Sequence, residues 1–220
     1  MRRKSLLQVG KDSSAKGETV GGLKSTAFTI SPIIDPSLTW TDITWFKKIT
    51  KMPIVLKGVQ SVEDVILAIE HGVQGVVLSN HGGRRLDFAR PSIDILEEVM
   101  PVLRGLGWEN RIEIYLDGGV RRGTDIIKAL CLGARGVGLG RPFAYAMGAY
   151  GLPGVDRAMQ ILKDEMEADM RLLGCTSIDQ LVSKRVDTRG LKIRLGSNSL
   201  YRSHPDIYEY LAASDRKANL

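Results

Sequence analysis

Short apolar runs alternating with helical stretches constrain this chain more than any other property. Residues 53–57, 75–79, 112–117 and 136–139 (Pro-Ile-Val-Leu-Lys, Gly-Val-Val-Leu-Ser, Ile-Glu-Ile-Tyr-Leu-Asp and Gly-Val-Gly-Leu) each read as a strand, brief and apolar enough to lie buried in a parallel sheet. A helical stretch follows each one. Ser61, three positions before Asp64, resembles the start signal of a helix that ends at Gly72. Ile93, Leu96, Val99 and Leu103 share a face over 92–103 despite Pro101, 124–132 closes on Gly133, and a long helix is expected over 155–173. Another helix, with Trp40, Ile43, Phe46 and Ile49 on one side, precedes the first strand. Four strand-then-helix units in succession imply parallel strands joined by right-handed crossovers. The candidates are a doubly wound sheet and part of an eight-unit (β/α)8 barrel.

The placement of polar groups separates these two. Lys57, Ser79 with His81, Asp117, and Gly140 with Arg141 all stand at or just past the carboxyl ends of strands. A barrel builds its site on that face, with a phosphate site in the loops after its last two strands. The glycine- and arginine-bearing loops here follow the third and fourth strands, which fits if those are the last two of eight. The expected α/β architecture is therefore the last four βα units of a TIM barrel, a half barrel over residues 33–182. A polar, small, glycine-bearing segment at 1–32, expected to be mobile, precedes it, and a C-terminal helix leads into a tail at 183–220.

Composition narrows the function classes. A chain of 220 residues with 43% apolar and 25% charged side chains suits one soluble domain. No apolar run approaches the ~18–20 residues of a membrane span. The net charge of +6 is spread out, without the basic block and interleaved aromatics of a nucleic-acid surface. Two cysteines, Cys131 and Cys175, make neither a disulfide framework nor a four-ligand metal site. Cys131 lies in an apolar helical setting and reads as a buried, inert thiol. The opening Met1-Arg2-Arg3-Lys4 resembles a mitochondrial targeting start, but Asp12 and Glu18 follow early; a solvated loop is the favoured reading. No clear address follows, so the location defaults to the cytoplasm.

Two loops invite an anion. In Asp117-Gly118-Gly119-Val120-Arg121-Arg122-Gly123 the glycines let backbone amides approach a ligand, and the helix start beyond adds partial positive charge. Gly138-Leu139-Gly140-Arg141-Pro142 repeats the arrangement one unit later, with Arg141 able to grip a phosphate. Tight turns with solvated arginines would explain either loop alone; the consecutive pair favours phosphate. This is not the dinucleotide fingerprint, which needs Gly-x-Gly-x-x-Gly after a first strand and an acidic residue about twenty positions later. His81, between Asn80 and Gly82-Gly83, has space beside it, and Arg84 offers a planar fork for a carboxylate. Imidazole is suited to proton abstraction near neutral pH. His71 and His204 lack such neighbours and read as surface or capping residues. Lys57 ends an apolar strand and needs a partner: either a barrel carboxylate or an electron-rich cofactor, the second being favoured.

Four segments in order carry a family resemblance: Ile54-Val55-Leu56-Lys57-Gly58-Val59, residues 79–87 (Ser-Asn-His-Gly-Gly-Arg-Arg-Leu-Asp), residues 117–125 (Asp-Gly-Gly-Val-Arg-Arg-Gly-Thr-Asp) and Gly138-Leu139-Gly140-Arg141-Pro142. They resemble the FMN-dependent α-hydroxy acid dehydrogenase and oxidase family, most nearly the flavin domains of its flavocytochrome L-lactate branch. Residues 34–40 and 170–178 support the likeness, which runs from about 33 to 181. The resemblance implies FMN as cofactor and a small L-2-hydroxy acid as substrate. Lys57 would sit by the flavin pyrimidine edge and Ser79 would contact the flavin. His81 would be the active-site base and Arg84 would hold the substrate carboxylate. Asp117, Gly118, Gly119, Val120 and Arg121, with Gly140 and Arg141, would bind the ribityl phosphate.

The resemblance also implies an electron acceptor, oxygen or a cytochrome, and a homo-oligomeric full-length enzyme; mitochondrial location would follow if that enzyme is of the flavocytochrome kind. The first four barrel units, with the family's substrate tyrosines, a second arginine and the aspartate that orients the histidine, have no counterpart in this sequence, nor has a haem domain. Three readings follow: a truncated portion of such an enzyme, which is favoured; a non-catalytic FMN- or phosphate-binding half barrel, able to dimerise; or a different FMN- or phosphate-binding barrel enzyme.

Overall fold

The computed structural model describes residues 37–191, and those from Trp40 onward belong to one compact unit. The expected mobile segment 1–32 lies outside the described residues, as do most of the tail and His204. Helix α1 (Asp42–Ile49) leads into four repeats of strand and helix: β1 (Val55–Val59), α2 (Val62–Glu70), β2 (Gly75–Leu78), α3 (Ser92–Leu106), β3 (Glu113–Asp117), α4 (Gly123–Leu132), β4 (Gly136–Gly138) and α5 (Arg141–Leu172). Two short 3-10 turns, Ile178–Gln180 and Ser183–Arg185, follow.

The strands form one parallel sheet in the order β1-β2-β3-β4. A doubly wound sheet reverses its order of strand addition at a switch point. Here each strand adds beside its predecessor, as in a barrel, and the four units make a half barrel. Strand alternation sends Val76, Leu78, Ile114 and Leu116 to the helix-covered side, where none is more than 2% exposed. They pack with Val65, Ala68, Leu96, Val99, Leu103 and Ala129 in a continuous core. The opposite face is more open: Val55 is 46% exposed. Parallel sheets are ordinarily covered on both faces, so this half barrel is dry on its helical side only.

Local chemistry explains the helix limits. The Ser61 hydroxyl accepts the Asp64 amide (3.1 Å) at the start of α2, the expected cap. His71 is the C-cap of that helix, its ring beside the Leu67 carbonyl (2.8 Å) and tilted by 33° against Trp40 at 5.5 Å. This is the capping role read from its surroundings. Pro101 lies inside α3, which runs on to a left-handed Gly107. The C-terminus of α4 turns at Gly133 (φ 117°), where a Cβ would meet the Met100 side chain at 2.7 Å, and Arg104 donates to the Leu132 carbonyl (3.0 Å).

One helix departs from expectation. The sequence spacing starts the last helix at 155, whereas α5 begins at Arg141 and is interrupted only at Gly151 (φ 64°, ψ −152°). Gly148, Gly151 and Pro153 disguise its first segment as a loop. Pro142 sits in the first turn, where a missing N–H does no harm. Behind α4, Cys131 and Cys175 are buried with Ile127 and Leu181 in a smaller cluster. Burial pushes the Cys131 thiol up, as expected of an inert cysteine. No helix among the described residues is long and apolar enough to cross a membrane.

Candidate active site

Three strand ends converge through one lysine. A shift of register between Lys57 and Val59 bulges β1 at Gly58 (φ 101°), and bulges re-aim neighbouring side chains. Lys57 Nζ lies 2.9 Å from Asp117 Oδ2 at the end of β3 and donates to Ser79 Oγ (3.0 Å) just past β2. The barrel-carboxylate reading of Lys57, the less favoured one, thus describes a real contact. Lys57 nevertheless also lines the cavity, so the two readings do not exclude each other. The second oxygen of Asp117, Oδ1, is buried with no hydrogen-bond partner among the described residues, which leaves it suited to a ligand hydroxyl.

The segment after β2 is folded back on itself. The His81 amide donates to Ser79 Oγ (3.0 Å), and His81 holds a left-handed backbone (φ 58°). Gly82 and Gly83 continue in that region (φ 63° and 78°), and the Gly83 amide donates to Asn80 Oδ1 (3.0 Å). Arg141 donates to the Gly82 carbonyl from one side and Arg85 to the Gly58 carbonyl from the other. Among the described residues nothing hydrogen-bonds the His81 ring or the Arg84 guanidinium, and both groups line the cavity.

The two glycine-bearing loops differ from each other. In the first, Gly118 and Gly119 are both left-handed (φ 87° and 85°). A Cβ on Gly118 would meet Asn80 Oδ1 at 2.8 Å, so this glycine permits a close approach; Gly119 faces open space. The helix start that should have added positive charge is already taken. The Arg121 and Arg122 amides donate to Asp125 Oδ2 (3.0 and 3.1 Å), and the Gly123 amide donates to Glu165 Oε2 (2.7 Å). Arg122 turns away to pair with Glu165 at 3.0 Å. The Gly123 amide foremost, and then Arg122, hold the Glu165 carboxyl below its usual range. The expectation that the α4 N-terminus helps to bind an anion is therefore corrected: two carboxylates occupy it. The second loop leaves its helix start open. Gly140 caps α5 with no side-chain hydrogen bond, its Cα faces free space, and Arg141 is exposed beside it.

These parts surround a cavity of about 790 Å³. Every expected site residue except Ser79 lines it: Lys57, His81, Arg84, Asp117, Gly118, Gly119, Val120, Arg121, Gly140 and Arg141. Ser79 stands behind the wall, 1% exposed. Tyr145, one helical turn beyond Arg141, lines the cavity too; the sequence spacing, which starts the last helix at 155, gives no sign of it. The size suits a small-molecule site. A phosphorylated, hydroxylated cofactor fits the donor set: an open glycine cradle with arginines for the phosphate, and a buried, unpaired carboxylate oxygen for a hydroxyl. Among the described residues no cluster could hold a metal ion.

A parallel α/β half barrel with glycine loops, arginines and a histidine around one cavity at the carboxyl ends of its strands has the architecture of phosphate-anchoring barrel proteins. Comparison with known sequences narrows that class. The model of the FMN-dependent dehydrogenase family matches residues 2–188, and the chain belongs to that family. It is 57% identical over 185 residues to an L-lactate dehydrogenase (cytochrome) of Wickerhamomyces anomalus, covering 83% of this chain and 32% of that one. It is 45% identical over 179 residues to a peroxisomal (S)-2-hydroxyacid oxidase of Arabidopsis thaliana, covering 81% and 46%. Among solved structures, the flavin-binding domain of baker's yeast flavocytochrome b2 superposes with a TM-score of 0.73 at 54% identity, over 85% of this chain and 49% of that one. The chain thus spans between about a third and a half of these relatives' length.

Proposed function

We propose that this chain forms the C-terminal half barrel, residues 33–182, of an enzyme that oxidises a small, lactate-like L-2-hydroxy acid to the 2-oxo acid with FMN. One observation carries the reading: His81 and Arg84 share a cavity with the glycine loops and Arg141. A phosphate anchor, a base and a carboxylate clamp therefore meet in one place. Gly119, Gly140, Arg121 and Arg141 hold the phosphate. Asp117 Oδ1 accepts from a hydroxyl of the ribityl chain, since a carboxylate facing phosphate would repel it. Lys57, steadied by Asp117 and Ser79, presents positive charge to the flavin, and Ser79 lies within reach of the same edge. When bound, FMN supplies the two-electron acceptor.

Arg84 engages the substrate carboxylate as a planar fork. His81 Nδ1 or Nε2, without a hydrogen-bond partner among the described residues, takes the proton released as the hydroxyl-bearing carbon is oxidised. The final electron acceptor is oxygen or a cytochrome, since the relatives' names include both an oxidase and a cytochrome-linked dehydrogenase. The complete enzyme assembles as a homo-oligomer. The open inner face of the sheet and the short share of its relatives' length support the half-barrel reading.

The test is anaerobic. The purified chain is titrated with FMN and then with L-lactate while the flavin absorbance is followed. Weak FMN binding is expected from the chain alone, with slow bleaching by L-lactate and none by D-lactate. Flavin that binds but stays oxidised with every 2-hydroxy acid would favour the second reading, a non-catalytic FMN-binding half barrel.

A further inference from the structure

We infer that Ser79 is a positioning residue that sets His81 and Lys57 together, acting from behind the cavity wall. The inference rests on the reading above, in which His81 is the base and Lys57 faces the flavin. Ser79 is the first residue beyond β2, it is 1% exposed, and its own amide donates to the Val59 carbonyl (3.3 Å) across the sheet. Its backbone is thereby fixed to the two strands that deliver Lys57 and His81. Its hydroxyl oxygen receives two donors, Lys57 Nζ and the His81 amide, both at 3.0 Å. A hydroxyl has two acceptor lone pairs and one hydrogen. Ammonium and amide groups only donate, so both lone pairs are committed inside the protein and the hydroxyl hydrogen points away from both.

The two partners need this hold for different reasons. His81 keeps φ at 58°, a conformation that side chains other than glycine adopt only under local constraint. The bond to Ser79 supplies that constraint and turns the chain out of the extended course of β2, so that the imidazole stands at the cavity. Lys57 has a long flexible stem and is 53% exposed. Asp117 alone fixes it at one point; Ser79 adds the second and sets the direction of the ammonium group. Loss of the hydroxyl would release both groups at once without removing any atom that lines the cavity.

The test compares Ser79→Ala and Ser79→Cys, which remove or weaken the acceptor, with Ser79→Thr, which retains it. In the full chain labelled at its three histidines, loss of one signal in His81→Gln assigns the His81 amide. Its hydrogen exchange should speed at least about tenfold in the Ala and Cys variants and stay within about threefold in Thr. In the FMN-loaded chain, flavin reduction by L-lactate, taken per bound flavin, should slow at least about tenfold in Ala and Cys, with Thr recovering most of the rate. Unchanged His81 exchange in the Ala variant would overturn the inference. So would a loss confined to FMN affinity with the reduction rate per bound flavin intact, since that would mark a ligand contact alone. If no 2-hydroxy acid reduces the wild-type flavin, the enzymatic reading fails, and the exchange comparison still decides the role of Ser79.

Discussion

The two glycine-rich loops resemble each other in sequence and divide their work in the fold. Both run strand, glycines, arginine, helix, and both border the cavity. The loop after β3 ends at a helix whose first amides are satisfied by Asp125 and Glu165; it contributes conformation, through two consecutive left-handed glycines. The loop after β4 ends at a helix without a side-chain cap, with Arg141 exposed beside it; it contributes positive charge. On the proposed reading, an anion in the cavity would draw on the dipole of α5 rather than on that of α4. Motif likeness identified both loops, but only the occupancy of their amides separates a scaffold from an electrostatic anchor.

Substitutions can break that comparison in descending order of effect. Arg141→Ala removes the charged partner at the open helix start as well as the tie to Gly82, and FMN affinity should fall by about 10- to 100-fold, measured by flavin fluorescence. Gly119→Ala forces a left-handed backbone on alanine and sends a methyl group into the cavity. FMN affinity should fall about tenfold, with about 1–2 kcal/mol of stability lost from the strain, measured by titration and by urea unfolding. Glu165→Gln affects only the scaffold side: Tm should drop while FMN affinity stays within about threefold.

Glu165 also carries a pH signature of known sign. Its folded carboxyl lies below the ordinary range because the Gly123 amide and Arg122 favour its charged form. The stabilisation is complete above the unfolded carboxylate value, about 4.3, and fades as pH falls through the lower folded value. The Tm difference between wild type and Glu165→Gln should therefore be full at neutral pH and close in acid. A difference that instead grew in acid would contradict the capping role.

What was legible in the sequence was mostly local. Strand ends carry their functional groups within a few residues of an apolar run, so Lys57, His81, Asp117 and Arg141 were all readable, and the structure gathers them around one cavity. Contacts across long separations were not. Glu165 reaches Gly123 from forty-two positions away, and no periodicity or spacing announces that bond. Lys57 was recognised as needing a partner, but choosing Asp117 required knowledge of which strand ends sit side by side. Tyr145 was hidden for a different reason. Gly148, Gly151 and Pro153 read as loop signals, whereas a single non-helical residue at Gly151 absorbs the break and leaves helix on both sides. For Ser79 the resemblance implies a flavin contact; its burial and its paired donors appear only once β1 and β2 are aligned.

The central claim is that this cavity anchors a flavin by its phosphate, chiefly through the loop after β4. Equilibrium titration of the chain with FMN and with riboflavin, which differ only by that phosphate, tests it most directly. FMN should bind at least about thirtyfold more tightly than riboflavin, and Arg141→Ala should close most of the gap. Equal affinity for the two flavins in the wild-type chain, or a gap that survives the loss of Arg141, would contradict the account.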